Sequence, residues 1–186
     1  MSSLTLLGVL GATIERGDDH LDALRTIRPG FDLAAERRAR AAAGVPDQPR
    51  ADDLYPDALP CLAAVAAAGY TVGAVGNTGV EMERFLRERC DLDFVASSAS
   101  LGAAKPDPAF FAAVAGLAGA EPERIAYVGD RLDNDVLPAG AAGMVAVHIR
   151  RGPWGYLHAG MPEAVRADLR IDSLDELLPG LEAMRR

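Results

Sequence analysis

The sequence predicts an α/β protein built on a three-layer parallel sheet, and two observations carry this prediction. From residue 57 onward, short runs of β-forming residues alternate with longer segments whose apolar residues recur at helical spacing. The β-forming runs are apolar almost throughout, as is typical of strands that are covered on both faces. Repeated β-α-β units of this length indicate a parallel sheet with helices on both sides.

Four strands and the helices between them can be placed in this alternating region. Strands are predicted at residues 70–75, 93–97, 124–128 and 144–149. Asp57 is suited to cap the first helix, which Gly69 ends, and Thr78-Gly79 opens the second. The second helix is predicted to turn four apolar side chains inward: Val80, Met82, Phe85 and Leu86.

The N-terminal part of the chain differs from this alternating region. Asp32 can cap a strongly helical segment, "LAAERRARAAAG", which Gly44 ends. A link rich in proline and aspartate, "VPDQPRADDLYPD", follows. We therefore expect residues 1–50 to form a small helical cap segment and residues 51–186 to form the α/β core.

Charge and composition limit the classes of function. The chain has 186 residues and a formal net charge of −8, which argues against binding to nucleic acid or to anionic membranes. No apolar run approaches the roughly 20 residues that a bilayer span needs, and the N-terminus lacks the features of a signal peptide. Cys61 and Cys90 have no metal-ligand spacing and are too few for a disulfide framework. We therefore expect a cytoplasmic protein without nucleic-acid or membrane partners.

A cluster of acidic residues follows one predicted strand directly. The stretch "YVGDRLDND", residues 127–135, contains Asp130, Asp133 and Asp135. Like charges this close are tolerated mainly when a cation lies among them, although a solvated turn is the alternative. Asn77 and Lys105 also fall at strand ends, where parallel folds gather their active residues. We expect Asn77, Lys105 and Asp130 to line one cleft, and Asp133 to be a solvated turn residue.

Two stretches resemble the second and third motifs of the haloacid dehalogenase (HAD) superfamily, whose Mg²⁺-dependent phosphohydrolases have a Rossmann-like core. "VGNTG" keeps the family's asparagine, Asn77, but has Gly76 where the family has serine or threonine. The neighbouring Thr78 could substitute for that hydroxyl group. "KPDPAFF" supplies Lys105. The resemblance implies that Asn77, Thr78 and Lys105 bind a phosphate, and that Lys105 is what remains of the catalytic groups.

The acidic stretch resembles the fourth motif of the same superfamily. Asp130 matches the direct Mg²⁺ ligand, and Asp135 matches the outer carboxylate at the expected spacing. The resemblance spans about residues 52 to 156 and implies a HAD-like α/β core with Mg²⁺ held by these two aspartates.

The first motif of the superfamily is absent. In the family a strand ends in Asp-x-Asp-Gly-Thr or a close variant, and its first aspartate takes the phosphoryl group. In one explanation residues 4–13, "LTLLGVLGAT", are an eroded form of that strand, with Gly8 in the place of the nucleophile and Leu10 in that of the acid/base. In the other, which we favour, the strand is missing, Ser3 or Thr5 caps a helix, and the chain starts inside the cap.

Both explanations have the same chemical consequence. Neither glycine nor leucine can attack phosphorus, and the missing aspartate is also a direct metal ligand in the family. The sequence therefore predicts a catalytically impaired or inactive HAD-like protein with a remnant phosphate cleft and weakly bound or absent Mg²⁺. The alternatives are an active Mg²⁺-dependent phosphohydrolase for a small phosphorylated metabolite, and a non-hydrolytic enzyme, such as a lyase, that reuses the cleft.

A missing strand would also leave a gap in the sheet. In the family the nucleophile strand lies between the strands that end at Asn77 and Asp130. Its loss would leave buried backbone groups unpaired, at about 1–3 kcal/mol for each group. Either residues 4–10 fill this slot despite their helical spacing, or a second chain closes it as a homodimer. "GPWGYLH" (152–158) offers aromatic residues for such an interface.

Overall fold

The computed structural model describes residues 3–6, 26–44 and 54–185. The strands are β1 Ser3–Leu6, β2 Thr71–Gly76, β3 Phe94–Ser97, β4 Ile125–Gly129, β5 Val145–Ile149 and β6 Leu169–Ile171. The α-helices are α1 Leu33–Ala42, α2 Ala58–Ala67, α3 Val80–Arg89, α4 Ser98–Leu101, α5 Pro108–Ala118, α6 Leu137–Ala141, α7 Gly152–Ala159 and α8 Leu177–Met184. A π-helical turn, Leu132–Val136, leads into α6.

The six strands form one sheet in the order β3-β2-β1-β4-β5-β6, and all neighbouring strands are parallel. The four predicted strands agree with β2, β3, β4 and β5 to within one residue at each end. The predicted α/β fold with a parallel sheet is therefore confirmed. The sequence did not predict β6, because three residues flanked by aspartates give too short a pattern.

β1 lies in the centre of the sheet. It pairs with β2 on one side and with β4 on the other, so that Leu6 lies opposite both Ala74 and Val128. The favoured hypothesis that the strand in this slot is missing is therefore wrong, and the helix predicted after Ser3 or Thr5 lies outside the described residues beyond Leu6. Pairing with β1 satisfies backbone groups of β2 and β4 that would otherwise be buried without partners, and this outweighs the helical spacing. The rest of the predicted strand, residues 7–10, lies outside the described residues.

Apolar layers cover both faces of the sheet. On one face α2 and α8 pack against side chains that include Ala126 and Val128 of β4. On the other face α5 packs against Ile125 and Tyr127 of the same strand. Successive residues of β4 therefore point to opposite layers, and this explains why the strand is apolar at every position.

Two predictions for the helices have different outcomes. α1 begins as predicted after Asp32, whose Oδ1 accepts a hydrogen bond from the Ala35 N–H at 3.0 Å. α3 buries Phe85, but Val80, which was predicted to point inward, is 58% exposed. Gly79, which precedes Val80, is exposed as well, so α3 begins at the surface. The division into a cap segment and a core at residue 50 stays a prediction.

No helix within residues 26–44 and 54–185 has both the length and the apolar character that crossing a bilayer requires.

Candidate functional site

The carboxyl ends of β2 and β4 lie on either side of β1, and predicted site residues follow each of them. Asn77 comes directly after β2. Its Nδ2 donates to the Lys105 carbonyl oxygen at 2.9 Å, and its Oδ1 accepts from the Lys105 N–H at 2.8 Å. Asn77 therefore fixes the backbone of the loop that carries the lysine, and its contact with a phosphate stays a prediction.

Lys105 is turned into the protein. Its Nζ lies 2.5 Å from Oδ1 of Asp135, and the two side chains are only 7% and 3% exposed. It is also the only lysine in a chain with 19 lysine and arginine residues. A compact ammonium group can enter a narrow site that a planar guanidinium group does not fit. The cation predicted from the third motif is therefore held next to the carboxylates predicted from the fourth.

The turn after β4, residues 130–136, brings its two predicted carboxylates together; we call it the acidic turn. Asp130 directly follows β4, and both Asp130 and Asp135 are buried. Asp135 folds back toward the start of the turn, where its Oδ2 accepts the Arg131 N–H at 3.2 Å. A Cβ atom on Gly129 would overlap the Asp135 side chain. The packing of the acidic turn therefore requires a glycine immediately before Asp130.

Asp130 and Asp135 share the charge of one lysine. Burial, followed by repulsion from Asp135, raises the pKa of Asp130 to about 7, and the Lys105 ammonium opposes this only in part. One cation cannot neutralise two buried carboxylates. Shifts of this kind are typical of functional sites. The acidic turn is therefore short of positive charge.

Thr78 and Asp133 lie at the margin of this cluster. Among the described contacts Thr78 takes part through its backbone: its N–H donates to the Gly76 carbonyl at 2.9 Å, and its own carbonyl accepts from the Ser98 hydroxyl at 3.3 Å. Asp133 is 59% exposed and pairs with Arg131, which agrees with the prediction of a solvated turn residue. The structure thus brings Asn77, Lys105, Asp130 and Asp135 together, and it shows no described role for the Thr78 hydroxyl.

The described residues at the site offer few ligands for a metal ion. In residues 3–6, 26–44 and 54–185, no group of three or more His, Cys, Asp or Glu side chains is arranged to hold one. Asp135 already binds Lys105 and the Arg131 N–H, which leaves Asp130 as the available carboxylate. Mg²⁺ requires near-octahedral oxygen coordination and loses its water reluctantly. The described residues therefore do not fit a tightly held Mg²⁺, and weak binding stays a prediction.

A second ion pair lies at the same edge of the sheet. Asp57 was predicted to cap α2, but its carboxylate makes no capping bond. Its Oδ2 instead accepts from the Arg151 guanidinium, from the Ser173 hydroxyl at 3.0 Å and from the Leu174 N–H at 3.0 Å. We call these four residues the Asp57 latch. Bonds from a charged donor are stronger than a helix cap, so the carboxylate turns to Arg151 and ties α2 to the segments after β5 and β6.

A cavity of about 440 Å³ opens beside the Asp57 latch, with Tyr55 and Arg151 in its wall. Neither Asn77 nor Lys105 nor Asp130 lines it. The cavity is therefore separate from the predicted site, although both lie at the same edge of the sheet.

Sequence reasoning missed two buried histidines that contact the acidic turn. His148 on β5 approaches the Asp130 carbonyl, and His158 on α7 accepts the Leu132 N–H. A single histidine inside an apolar strand or a short helix gives no pattern that points to a site. The partners become visible only when the strands are placed side by side.

Comparison with known proteins identifies the family. The model of the haloacid dehalogenase-like hydrolases matches residues 14–143. Relatives include a glyceraldehyde 3-phosphate phosphatase from Methanopyrus kandleri, 38% identical over 67% of this chain and 54% of that protein. A phosphoglycolate phosphatase 1 from Pseudomonas aeruginosa is 34% identical over 68% of this chain and 47% of that protein. The chain spans about half the length of these curated relatives.

Solved structures share the fold along nearly the whole chain. A HAD phosphatase from Thermococcus onnurineus superposes with a TM-score of 0.68 at 24% identity, covering 97% of this chain and 98% of that one. A 2-haloacid dehalogenase from Pseudomonas syringae gives a TM-score of 0.63 at 20% identity, covering 99% and 100%. Phosphatases and dehalogenases thus have this same fold, and the fold does not choose between the two activities. The resemblance carried by the three motifs is confirmed, and the chain belongs to the haloacid dehalogenase-like hydrolase family.

Proposed function

We propose that this chain binds a small phosphorylated molecule in a remnant of the family's phosphate cleft and does not hydrolyse it through an aspartyl phosphate. The register of β1 carries the proposal. Leu6 lies opposite Ala74 and Val128. Two residues beyond these partners, β2 reaches Gly76 and the chain after β4 reaches Asp130. Two residues beyond Leu6, the sequence has Gly8.

In the sequence, Gly8 is thus the residue at the number that corresponds to the nucleophilic aspartate, and Leu10 the residue at the number that corresponds to the acid/base. Glycine has no group that can attack phosphorus, and leucine has no group that can move a proton. The model of the family matches residues 14–143 and does not include either position. The central position of β1 also favours an eroded first motif over a missing one.

Among the groups that remain, the Lys105 ammonium is suited to an anion, whereas the two carboxylates are not. The Lys105 ammonium is buried, and charge-assisted hydrogen bonds from such a group to phosphate oxygens are strong. The nearby carboxylates would repel a phosphate unless a cation accompanied it. Mg²⁺ would supply that charge, with Asp130 as its ligand and a dissociation constant of about 1 mM or weaker.

The free, buried cysteines Cys61 and Cys90 support a reducing compartment. We therefore propose that the protein acts in the cytoplasm, on a ligand from the pool of small phosphorylated metabolites.

Hydrolysis of p-nitrophenyl phosphate with Mg²⁺ tests the proposal. We expect the unmodified chain to stay at background, because loss of a nucleophile commonly lowers the rate by several orders of magnitude. The double variant Gly8→Asp/Leu10→Asp should rise above background by at least about tenfold. The matched control adds Asp130→Ala, which should return this variant to background.

One other function has support in the comparisons. The relatives from Methanopyrus kandleri and Pseudomonas aeruginosa are named as phosphatases, so an active phosphohydrolase is the second candidate. Mg²⁺-dependent turnover in the unmodified chain that disappears in Asp130→Ala would establish this candidate and overturn the proposal.

Binding is measured separately from turnover. A titration with inorganic phosphate and Mg²⁺, followed by ³¹P NMR, should show binding to the unmodified chain. Lys105→Met, which keeps the length of the side chain but removes its charge, should abolish it. Absence of binding to the unmodified chain would remove the phosphate part of the proposal.

A further inference from the structure

Two buried histidines contact the backbone of the acidic turn, one at Asp130 and the other at Leu132. His148 Nε2 lies 3.2 Å from the Asp130 carbonyl oxygen. His158 Nδ1 accepts the Leu132 N–H at 2.9 Å. Both histidine side chains are almost fully buried. The two rings thus hold the acidic turn just before and just after Arg131.

The two contacts require opposite roles of the rings. A carbonyl oxygen can only accept, so Nε2 of His148 must carry a proton. A backbone N–H can only donate, so Nδ1 of His158 must be unprotonated. Burial lowers the pKa of both histidines, which favours the neutral rings that this arrangement needs. Each ring therefore has one defined tautomer.

α7 makes a second contact with the same turn. The guanidinium of Arg131 lies over the Trp154 ring, with its Cζ 4.5 Å from the ring centroid. The Trp154 ring in turn lies 5.0 Å from the His158 ring. A Cβ on Gly155 would come within 2.8 Å of the Ile149 carbonyl oxygen, so this glycine allows α7 to pack against the end of β5. His158 is therefore held by its helix and by its neighbours.

These contacts extend to the lysine of the site. The Arg131 N–H, between the two histidine contacts, donates to Asp135 Oδ2, and Asp135 Oδ1 binds Lys105 Nζ. Successive backbone groups of residues 130, 131 and 132 are therefore all bonded to side chains. If the backbone at Leu132 is released, the Arg131 N–H moves away from Asp135, and the ion pair with Lys105 loses its support.

We propose that His148 and His158 are positioning residues that keep Asp130, Asp135 and Lys105 assembled as one site. The inference rests on the proposed function for the nature of the ligand, but not for the assembly of the turn. Neither ring touches a reacting group, so both act only through the backbone of the acidic turn.

The single lysine of the chain gives a direct measurement. Labelling of Lys105 by an amine-reactive reagent, followed by peptide mass spectrometry, reports how often its ion pair opens. His158→Asn keeps an acceptor near the place of Nδ1, whereas His158→Leu removes it. We expect labelling to be about tenfold faster in His158→Leu and close to the unmodified rate in His158→Asn. Equal rates in these two variants, or no change in His158→Leu, would overturn the proposal.

The second histidine and the unmodified protein provide further readouts if His158→Leu fails to fold. His148→Gln keeps a donor near Nε2, and His148→Leu removes it, so the same contrast in labelling is expected. ¹⁵N NMR of the unmodified protein should show the His158 ring with its proton on Nε2. A proton on Nδ1 would overturn the role given to His158.

Titration with inorganic phosphate separates this inference from the proposed function. If the unmodified chain fails to bind phosphate but the labelling contrast is present, the proposed function fails and the positioning role stands. If phosphate binds to the unmodified chain and the leucine variants label no faster, the positioning role fails and the proposed function stands.

Discussion

The Asp57 latch and the acidic turn lie at the same edge of the sheet, but their charges are balanced differently. In the latch one carboxylate, Asp57, receives a guanidinium, a hydroxyl and a backbone N–H. In the acidic turn two carboxylates, Asp130 and Asp135, face the single ammonium of Lys105. In the latch all three donors bond to Oδ2 of Asp57, and its buried Oδ1 has no hydrogen-bond partner among the described residues. The charge of Asp57 is nevertheless matched by one guanidinium, whereas in the turn two carboxylates depend on one ammonium.

This difference appears in the pKa values. Burial alone would raise the pKa of Asp57, but hydrogen bonds from Arg151, Leu174 and Ser173 lower it below its ordinary value. Burial and Asp135 raise the pKa of Asp130 to about 7. A carboxylate whose ionised form is favoured by a buried guanidinium is expected of a structural contact. A carboxylate held against repulsion from another carboxylate lowers stability and is typical of a functional site. This contrast is consistent with a structural role for the latch and with the binding role that we propose for the turn.

The largest expected effect comes from removing the cation of the acidic turn. Lys105→Met leaves two buried carboxylates without a counter-charge, so we expect the free energy of unfolding at pH 8 to fall by about 3 kcal/mol. Urea denaturation measures this. Adding Asp135→Asn removes one of the two charges and should restore more than half of the loss. A loss below about 1 kcal/mol in the single variant would show that water already screens the turn.

Breaking the latch should have the next largest effect. Asp57→Ala leaves the Arg151 guanidinium, which is only 13% exposed, without its carboxylate, and we expect a loss of about 2 kcal/mol. The matched control is Asp172→Ala, which breaks the exposed Arg150–Asp172 pair and should lower stability by about 0.5 kcal/mol or less. Equal losses in the two variants would contradict the special role of the latch.

Local patterns in the sequence predicted the strands well and their partners poorly. β2, β3, β4 and β5 follow from short apolar runs, because such a run must be buried on both faces wherever it lies. The motif residues followed from their positions at strand ends. β1 was left as one of two alternatives for the gap in the sheet, because Leu7 and Leu10 just after it fit a helical spacing. The need of the neighbouring strands for backbone partners favours a strand at this place, and the local sequence does not show that need.

Contacts between distant residues explain what the sequence could not predict. Asp57 was predicted to cap a helix because an aspartate just before a helix commonly bonds to the first N–H groups of that helix. Its partners Arg151 and Leu174 instead lie 94 and 117 residues away in the sequence. His158 meets Leu132 across 26 residues. Such pairs produce no regular spacing in the sequence. The latch and the histidine contacts therefore become visible only in the folded structure.

Removing a charge from the acidic turn should stabilise the protein. Asp130→Asn keeps the size of the side chain and ends the repulsion between Asp130 and Asp135. We expect the free energy of unfolding at pH 8 to rise by about 1 kcal/mol. Replacing a functional-site residue that is repelled by a neighbouring like charge commonly has this effect. Chemical denaturation with and without added Mg²⁺ checks this. A loss of stability at pH 8 without metal would mean that the Asp130 carboxylate has partners that satisfy it.

The smallest expected effect is the pH dependence of the latch. Because the pKa of Asp57 is lower in the folded protein than its ordinary value of 3.8, folding favours the ionised carboxylate. This contribution is fully present above the unfolded pKa and is lost as the pH falls through the folded pKa. The stability difference between the unmodified protein and Asp57→Asn should therefore be constant from pH 7 to about pH 5 and shrink below about pH 4.

Thermal unfolding of both proteins over this pH range measures that difference, and Asp172→Asn serves as the exposed control. The change with pH should be smaller than the whole loss in Asp57→Ala, because the hydrogen bonds from Ser173 and Leu174 do not depend on the charge alone. A stability difference that stays constant down to pH 3 would mean that the folded protein does not prefer the ionised carboxylate. The contrast between the latch and the acidic turn would then rest on the number of donors and not on charge.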